Sequence, residues 1–281
     1  MSQQIIAIYT SEPPRPRSLV LSHAIRQRFE ARGFTVIDSS DERIWSASLL
    51  ITIGGDGTLL GAARVAIEHD LPILGINTGR LGFLTEFDDG DPRIELLPQA
   101  VESGLVYEER AALEAHYDGR SFFALNDVVV RKGEVSRIVP FGLRMNGEHV
   151  ADVPADGICI ATSTGSTAYF LSAGGPIISP NVDAFGIVPL LPHTLFSRPL
   201  IVTASSRIEI TCDAELAHAH LECDGEVIAE IARGRTVVVT RHPKTVRFAR
   251  VEKLRFFSRL EEKLRWGVSI RATSLDGSSE N

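Results

Sequence analysis

The stretch Ser48-Leu-Leu-Ile-Thr-Ile-Gly-Gly-Asp-Gly-Thr58, continued by Leu59-Leu-Gly-Ala-Ala-Arg-Val-Ala-Ile67, decides the fold of this chain. Residues 48–53 form an apolar run that is typical of a buried parallel strand. Residues 59–67 combine strong helix formers with apolar residues spaced i, i+4. The sequence therefore predicts a strand, a glycine-rich loop and a helix, which is the repeating unit of a parallel α/β sheet.

Asp56 lies between glycines, where the predicted strand ends and the predicted helix begins. Open α/β sheets bind ligands here, because backbone N–H groups and the helix dipole attract phosphate. We therefore interpret Gly54, Gly55 and Thr58 as a phosphate loop. Holding phosphate needs no carboxylate, so Asp56 indicates either a base for an attacking hydroxyl or a metal ligand that bridges phosphates. The structural alternative is a tight turn in which Asp56 caps the helix.

This loop differs from two better-known phosphate loops. It lacks the lysine that a Walker loop requires, and Leu60 stands where a GxGxxG pattern needs its last glycine. The sequence therefore disfavours a dehydrogenase.

The rest of the amino-terminal half continues the alternation of strands and helices. Asn77–Leu84, which contains two glycines and Arg80, follows a predicted strand and is a second candidate phosphate or ribose loop, with an ordinary turn as the alternative. The alternation predicts a doubly wound, mostly parallel sheet with helices on both faces. The predicted strands are 5–8, 34–38, 48–53 and 72–77, and the predicted helices are 19–32, 59–67 and 92–104, the last interrupted at Pro98.

Hairpin signals replace helical periodicity after residue 104, and they predict an antiparallel β-sandwich that includes Thr245–Val251. Phe256–Trp266 returns to helical spacing, and we expect this helix to pack back on the first domain because its apolar face must be buried. The turn signals are Asp118-Gly119, Asn146-Gly147 and Asp224-Gly225. The predicted domains are residues 1–107, 108–252 and 253–281.

Two polar stretches in the second half are candidate binding sites. Asn126 and Asp127 lie inside an otherwise apolar strand, where a ligand's hydroxyls or the local backbone must satisfy them. Residues 160–169 run from a strand through small hydroxyl residues and glycine to a helix start, which suits phosphate and ribose oxygens. Tyr169 is placed to stack on a base. The alternative is a capped turn with Tyr169 in the core.

The bulk composition excludes several classes of function. The formal charge of −7 argues against broad binding to nucleic acid or to an anionic membrane. No apolar stretch approaches the ~18 residues of a membrane helix, and the amino terminus does not look like a signal peptide. The three cysteines are odd in number and far apart, which fits small buried residues of a cytoplasmic protein better than disulfides.

Taken together, these motifs resemble the NAD kinases of the bacterial type. The resemblance covers most of the chain and rests on the order of its motifs: Gly54–Thr58, Asn77–Leu84, Asn126-Asp127, Asp156-Gly157, Thr164–Pro176, Pro192–Pro199 and Phe257–Gly267. It implies an α/β domain, a β-sandwich domain, and the phosphorylation of the adenosine ribose 2′-hydroxyl of NAD by ATP, which yields NADP and ADP. It also implies a divalent metal, usually Mg²⁺, and a homo-oligomer, dimer or tetramer, in which a neighbouring subunit helps to form the NAD site.

The resemblance also implies roles for individual residues. Asp56 is similar to the base that accepts the proton of the 2′-hydroxyl, and Gly54, Gly55 and Thr58 to the loop that holds the phosphates of ATP. The positions that resemble NAD contacts are Asp56, Gly57, Asn126, Asp127, Arg137, Asp156, Thr167, Ala168, Tyr169 and Ser172.

Three residues depart from the family pattern. Ser163 stands where proline is common, Pro154 where arginine is common, and Glu226 where glutamine is frequent. We expect these changes to affect substrate details more than the reaction class. A lipid kinase that shares the Gly-Gly-Asp-Gly loop and a non-catalytic nucleotide-sensing module are the alternative functions.

Overall fold

The first domain is built on a mixed sheet with the strand order β2-β1-β3-β4-β19-β6, and β5 extends it beside β4. In the computed structural model, which describes residues 4–79, 82–133, 138–194, 197–212, 219–252 and 256–265, β1 to β4 and β19 run parallel, whereas β6 is antiparallel to β19. The strands are β1 (Ile5–Thr10), β2 (Thr35–Asp38), β3 (Ala47–Ile53), β4 (Ile73–Asn77), β5 (Phe87–Asp88), β6 (Val106–Arg110) and β19 (Val246–Arg250).

Helices cover both faces of this sheet, as the alternation predicts. On one face, the helix residues Ile25 and Phe29 pack with buried strand residues such as Ile51. On the other face, the helix residues Leu59 and Ala63 pack with buried strand residues such as Leu50. The helices are α1 (Pro16–Glu30), α2 (Asp56–His69) and α3 (Leu97–Ser103), with 3₁₀ turns at Glu42–Ser46 and Pro92–Leu96.

The second domain is a sandwich of two six-stranded antiparallel sheets, with the orders β11-β10-β15-β18-β7-β8 and β14-β13-β12-β9-β16-β17. Phe141 and Ile210 of the first sheet and Ile158 and Leu221 of the second belong to one buried core. The strands are β7 (Leu113–Tyr117), β8 (Arg120–Ala124), β9 (Asp127–Lys132), β10 (Val139–Met145), β11 (Glu148–Ala155), β12 (Gly157–Ala161), β13 (Ala184–Leu190), β14 (Leu200–Thr203), β15 (Ile208–Cys212), β16 (Ala219–Cys223), β17 (Glu226–Ile231) and β18 (Thr236–Arg241).

Three short elements complete the described chain: a 3₁₀ turn at Gly165–Thr167, α4 (Tyr169–Ser172) and α5 (Phe256–Leu264). Helix α5 returns to the first domain, as predicted. There Arg259 donates to the carbonyls of Phe83, Thr85 and Glu86, and Lys263 lies 4.9 Å from the ring centre of Phe83. In the described part of the chain, no helix is long and apolar enough to cross a membrane.

Three predicted elements differ from the observed ones. The run Thr245–Val251, assigned from sequence to the β-sandwich, contains β19, which pairs with β4 and β6 in the first sheet. Helix α1 begins at Pro16 rather than Leu19, because proline is well accommodated in the first helical turn. Residues 92–104 form a 3₁₀ turn and then α3, and Pro98 lies in the first turn of α3.

Candidate active site

The Asp56 carboxylate is held by a neighbouring loop rather than by its own helix. Asp56 is the first residue of α2, and the N-cap position belongs to Gly55, which makes no side-chain cap. Asp56 Oδ2 accepts a hydrogen bond from the backbone N–H of Phe83 at 2.8 Å, and Oδ1 accepts one from Leu84 at 3.2 Å. The alternative in which Asp56 caps the helix is therefore wrong. An ionised carboxylate has about four lone-pair sites, so these two bonds leave acceptor capacity for a ligand hydroxyl.

Glycines allow the two loops around Asp56 to approach each other. A Cβ on Gly82 would lie 2.5 Å from Asp56 Oδ1, and a Cβ on Gly54 would lie 2.2 Å from Thr58 Oγ1. Both glycines are therefore needed for close packing. Among the described residues, in contrast, no atom outside the adjacent backbone lies within 4 Å of a Cβ placed on Gly55 or on Gly57. The backbone there is open to a ligand, which fits the predicted phosphate loop at the helix amino terminus.

The loop that bonds Asp56 is anchored by a buried arginine that the sequence analysis missed. Arg250 Nη1 donates to the carbonyl of Leu84 at 3.0 Å and to Glu86 Oε2 at 3.2 Å. Glu86 Oε1 accepts from the N–H of Val251 at 3.1 Å. Since the Arg250 side chain is only 2% exposed, this ion pair is desolvated and fixes the loop firmly to β19.

Asn126 and Asp127 lie at the start of β9, and a second missed residue holds them. The carboxylate of Asp224 accepts three backbone N–H bonds, from Leu125 at 2.8 Å, Asn126 at 2.7 Å and Asp127 at 3.2 Å. The N–H of Asp224 in turn donates to the carbonyl of Asp127 at 2.9 Å. The backbone is thus satisfied by Asp224, while among the described residues Asn126 Oδ1 is buried without a hydrogen-bond partner.

Asp127 is buried in an acidic environment. Burial, together with the negative charges of Asp224 and Glu222, raises the pKa of Asp127 to about 7. Burial also raises the pKa of Asp224, although its three backbone N–H donors act in the opposite direction. Two carboxyl groups so close together disfavour double ionisation. Asp127 is therefore a group whose charge can change near neutral pH.

The hydroxyl-rich loop after β12 wraps around Asn126, but most of its hydroxyls are not available to a ligand. Thr162 Oγ1 donates to the carbonyl of Leu125 at 2.6 Å, and Ser166 Oγ donates to the carbonyl of Ser163 at 2.7 Å. The prediction that these hydroxyls bind phosphate or ribose is wrong for Thr162 and Ser166, because they satisfy buried backbone groups. Gly165 is required here, since its Cβ would lie 2.0 Å from the carbonyl oxygen of Asn126.

The residues at the end of this loop that are predicted to contact NAD are more accessible. Thr167 and Ala168 are half-buried, and Tyr169 and Ser172 are exposed. Tyr169 is not in the core, which removes the core alternative for this side chain. The neighbouring ring of Phe170 is fully buried against the outer face of β12 and β13. The core residue therefore anchors the segment, and the tyrosine ring remains available for stacking.

Asp156 lies apart from the Asn126–Asp127 pair within one chain. It precedes β12 and forms an ion pair with Lys132, with 2.6 Å between Nζ and Oδ1. Asp127 pairs with Ala161, which lies at the opposite end of β12 from Asp156. At ~3.3 Å per residue along β12, Asp127 and Asp156 are therefore roughly 16 Å apart. The predicted contact Arg137, and Arg80 of the second candidate loop, lie outside the described residues.

The two domains meet beside these loops. Phe83 and Leu84, whose N–H groups bind Asp56, line a small cavity of about 20 Å³ together with residues of the hydroxyl-rich loop, among them Ser163 and Thr164. Buried Arg110 spans the gap, since Nη1 is 3.4 Å from Thr164 Oγ1 and Nη2 is 2.5 Å from Glu108 Oε1. The fold thus brings the Asp56 loop and the Thr164 loop together.

The three departures from the family pattern have clear structural settings. Glu226 forms an ion pair with Arg64 of α2, with 2.5 Å between Oε2 and Nη1, so its charge is compensated. Ser163 is buried, and its carbonyl accepts the bond from Ser166. Pro154 lies in β11, where its carbonyl accepts a bond from the N–H of His193 at 2.8 Å.

Two family models match this chain. The ATP-NAD kinase N-terminal domain matches residues 15–105, and the ATP-NAD kinase C-terminal domain matches residues 125–251. The chain belongs to the ATP-NAD kinase family. The lipid kinase and nucleotide-sensing alternatives are not favoured, and the reaction is the phosphorylation of NAD by ATP.

Relatives and solved structures agree with this assignment. The chain is 41% identical to the NAD kinase of Gemmatimonas aurantiaca over 78% of this chain and 77% of that protein. It is 36% identical to the NAD kinase of Yersinia pestis over 92% of this chain and 95% of that protein. A crystal structure of yeast NADH kinase complexed with NADH has a TM-score of 0.84 at 25% identity, covering 96% of this chain and 90% of that one. The crystal structure of an NAD kinase from Archaeoglobus fulgidus in complex with ATP shares the fold. Its TM-score is 0.76 at 24% identity, and the match covers 94% of this chain and 99% of that one.

Proposed function

We propose that Asp56 is the general base of this NAD kinase and that it accepts the proton of the adenosine ribose 2′-hydroxyl. The observation that carries the proposal is the fixed carboxylate at the amino terminus of α2, held by the N–H groups of Phe83 and Leu84 beside open backbone at Gly55 and Gly57. A phosphate bound to that backbone would then lie next to a substrate hydroxyl that is hydrogen-bonded to the Asp56 carboxylate. Phosphoryl transfer depends mainly on such alignment and on charge neutralisation.

We infer that the NAD is held by the second domain. Asn126 and Asp127 contact its polar groups, and Asn126 Oδ1, which has no hydrogen-bond partner among the described residues, supplies an acceptor. Exposed Tyr169 stacks on a base, while Thr167, Ala168 and Ser172 line the same segment. Asp156 is too distant to join this group within one chain. The family resemblance implies a homo-oligomer, dimer or tetramer, in which a neighbouring subunit helps to form the NAD site. We therefore assign Asp156 to the NAD site of a neighbouring subunit.

A divalent cation, expected to be Mg²⁺, fits a site of this kind if it arrives with the nucleotide. Among the described residues, no group of three or more His, Cys, Asp or Glu side chains is arranged to hold a metal ion. Mg²⁺ commonly binds through one or two carboxylates together with substrate phosphates, so a site with few protein ligands suffices. When bound, the cation neutralises charge on the phosphates. Asp56 is the carboxylate at the phosphate loop, and its role as metal ligand is the competing interpretation.

The cytoplasmic location of the protein also stays a prediction.

The test is NADP formation from NAD, ATP and Mg²⁺ by the wild type and by Asp56→Asn. Removal of a general base predicts a loss of kcat of ~10²–10⁴-fold with a modest change in KM for NAD. The matched control is Asp70→Asn, at the other end of the same helix, where the left-handed backbone accommodates asparagine. Near wild-type turnover by Asp56→Asn would reject the base. Loss of activity that is restored by raising the Mg²⁺ concentration would favour the metal-ligand role instead.

A further inference from the structure

The loop that orients Asp56 is itself held by the carboxyl-terminal helix. Arg259 of α5 donates from Nη1 to the carbonyl oxygens of Phe83, at 3.1 Å, and of Thr85. Its Nη2 donates to the carbonyl of Glu86 at 3.3 Å. A guanidinium carries five donors in a rigid plane, so one side chain can fix several carbonyls at once. Arg259 therefore fixes the path of residues 83–86 together with Arg250.

One peptide group connects this arginine directly to the candidate base. The carbonyl of Phe83, which accepts from Arg259, and the N–H of Leu84, which donates to Asp56 Oδ1, belong to the same planar peptide. A rotation of that peptide moves both hydrogen bonds together. Consecutive hydrogen bonds in a low-dielectric environment also polarise one another. The position of the Asp56 carboxylate is thus coupled to the position of the Arg259 guanidinium.

The surroundings of α5 make this contact specific. Leu260 is buried and anchors the helix, while Lys263, one turn after Arg259, lies over the ring of Phe83 at 4.9 Å. Burial lowers the pKa of Arg259, and the nearby charge of Arg250 lowers it further. Burial likewise lowers the pKa of Lys263 to about 8, and the charge of Arg259 contributes in the same direction. Two partly desolvated cations on one helix face therefore cover the loop that holds Asp56.

We propose that Arg259 is a positioning residue for the phosphoryl transfer: through the Phe83–Leu84 peptide it holds the Asp56 carboxylate in the orientation that accepts the hydroxyl proton. This inference rests on the proposed role of Asp56 as the base. It gives the carboxyl-terminal helix a part in catalysis that requires no contact with either substrate.

The test is a double-mutant cycle in kcat that combines Arg259→Met with Asp56→Asn. A small misplacement of a reacting group can cost ~100-fold, so we expect Arg259→Met to lower kcat by ~10- to 100-fold while KM for NAD changes less than ~3-fold. In the Asp56→Asn background, the same substitution should change the residual kcat less than ~2-fold. Arg259→Lys retains the charge and should recover part of the loss. Arg265→Met is the matched control and should retain wild-type kcat, because Arg265 follows α5 directly and is exposed.

The outcomes separate this inference from the proposal on which it rests. If Asp56→Asn keeps wild-type turnover, the assignment of the base is wrong, and the inference fails with it. If Asp56→Asn is impaired but Arg259→Met lowers kcat equally in both backgrounds, Arg259 acts independently of Asp56 and the inference alone is overturned. Circular dichroism checks folding. If Arg259→Met does not fold, the cycle is run with Arg259→Gln, which retains a donor of similar reach, and the same additivity criterion applies.

Discussion

Asp224 should be more important for this enzyme than its place in a hairpin turn indicates. Its carboxylate is the acceptor for three backbone N–H groups, of Leu125, Asn126 and Asp127, at 2.8, 2.7 and 3.2 Å. Replacement by alanine leaves those donors buried, and each unsatisfied buried donor costs about 1–3 kcal/mol. Part of that cost is offset because a buried carboxylate no longer has to be desolvated. We therefore expect Asp224→Ala to lower the free energy of unfolding by about 2–4 kcal/mol.

Asp224→Ala should also weaken NAD binding, in addition to lowering the stability of the fold. The same three bonds fix the backbone of Asn126 and Asp127, the pair proposed to contact NAD. Because that backbone loosens when the bonds are lost, we expect NAD binding to weaken by ~10-fold or more, which corresponds to at least ~1.4 kcal/mol. Asp224→Asn should be milder, because one oxygen, Oδ1, accepts from both Asn126 and Asp127 and an amide retains one oxygen. The measurements are urea unfolding followed by circular dichroism and calorimetric titration with NAD.

A second hairpin of this chain provides the control. Asp118 has the same left-handed backbone in an Asp-Gly turn, with φ of 50° against 51° at Asp224, but its side chain is 70% exposed and pairs with Arg235. Asp118→Ala therefore carries the same backbone cost as Asp224→Ala without the three buried bonds. If the two variants differ by less than about 1 kcal/mol in unfolding free energy, and NAD affinity is unchanged, then the three bonds do not have the role assigned to them.

Two further predictions concern the same region. Because the pKa of Asp127 is raised to about 7, the folded protein binds a proton that the unfolded chain has released between pH ~4 and 7, so this group's contribution to stability falls as pH rises through that window. The stability of Asp127→Asn relative to wild type should therefore increase by up to ~1.4 kcal/mol per pH unit between pH ~4 and 7, and should stay constant above pH ~7. Urea unfolding at several pH values measures this difference. A difference that does not depend on pH would contradict the raised pKa. Gly165→Ala should weaken NAD binding by ~10-fold or more in the same titration, because its Cβ would lie 2.0 Å from the carbonyl of Asn126. Gly142→Ala, where the nearest atom is 3.4 Å away, is the control, and equal effects of the two would argue against a close approach at Gly165.

Local pattern was sufficient to predict most of the fold. The run 48–53, its glycine loop and the helix after it appear as β3 and α2, because a buried parallel strand and an Ala-rich helix each leave a strong signal in adjacent residues. The strand β19 was placed in the wrong domain because its alternation resembles any half-buried strand. Only its pairing with β4 and β6, more than 100 residues earlier in sequence, puts it in the first sheet.

The residues proposed to contact the substrates left a signal in the sequence, whereas the residues that hold them were not predicted. Asp56 and the Asn126–Asp127 pair are polar residues in unusual local settings, which marks them. Asp224 occupies a turn position where aspartate is ordinary, so nothing local distinguishes it. Arg250 did leave a signal: it shares the apolar phase of Val246 and Phe248 along β19, and a charged residue on a buried strand face indicates a buried ion pair.

Both halves of the site follow one physical principle, and it explains why buried charges recur around them. Loops at strand ends have backbone N–H and C=O groups without a ladder partner, and such groups must be satisfied when they are buried. Asp224 satisfies the donors of one loop, and Arg250 and Arg259 satisfy the acceptors of the other. A charged side chain forms several such bonds at once and forms them more strongly than a neutral one. The loops are thereby held without a regular strand, and the Asp56 carboxylate and the backbone of Asn126 are fixed by these bonds.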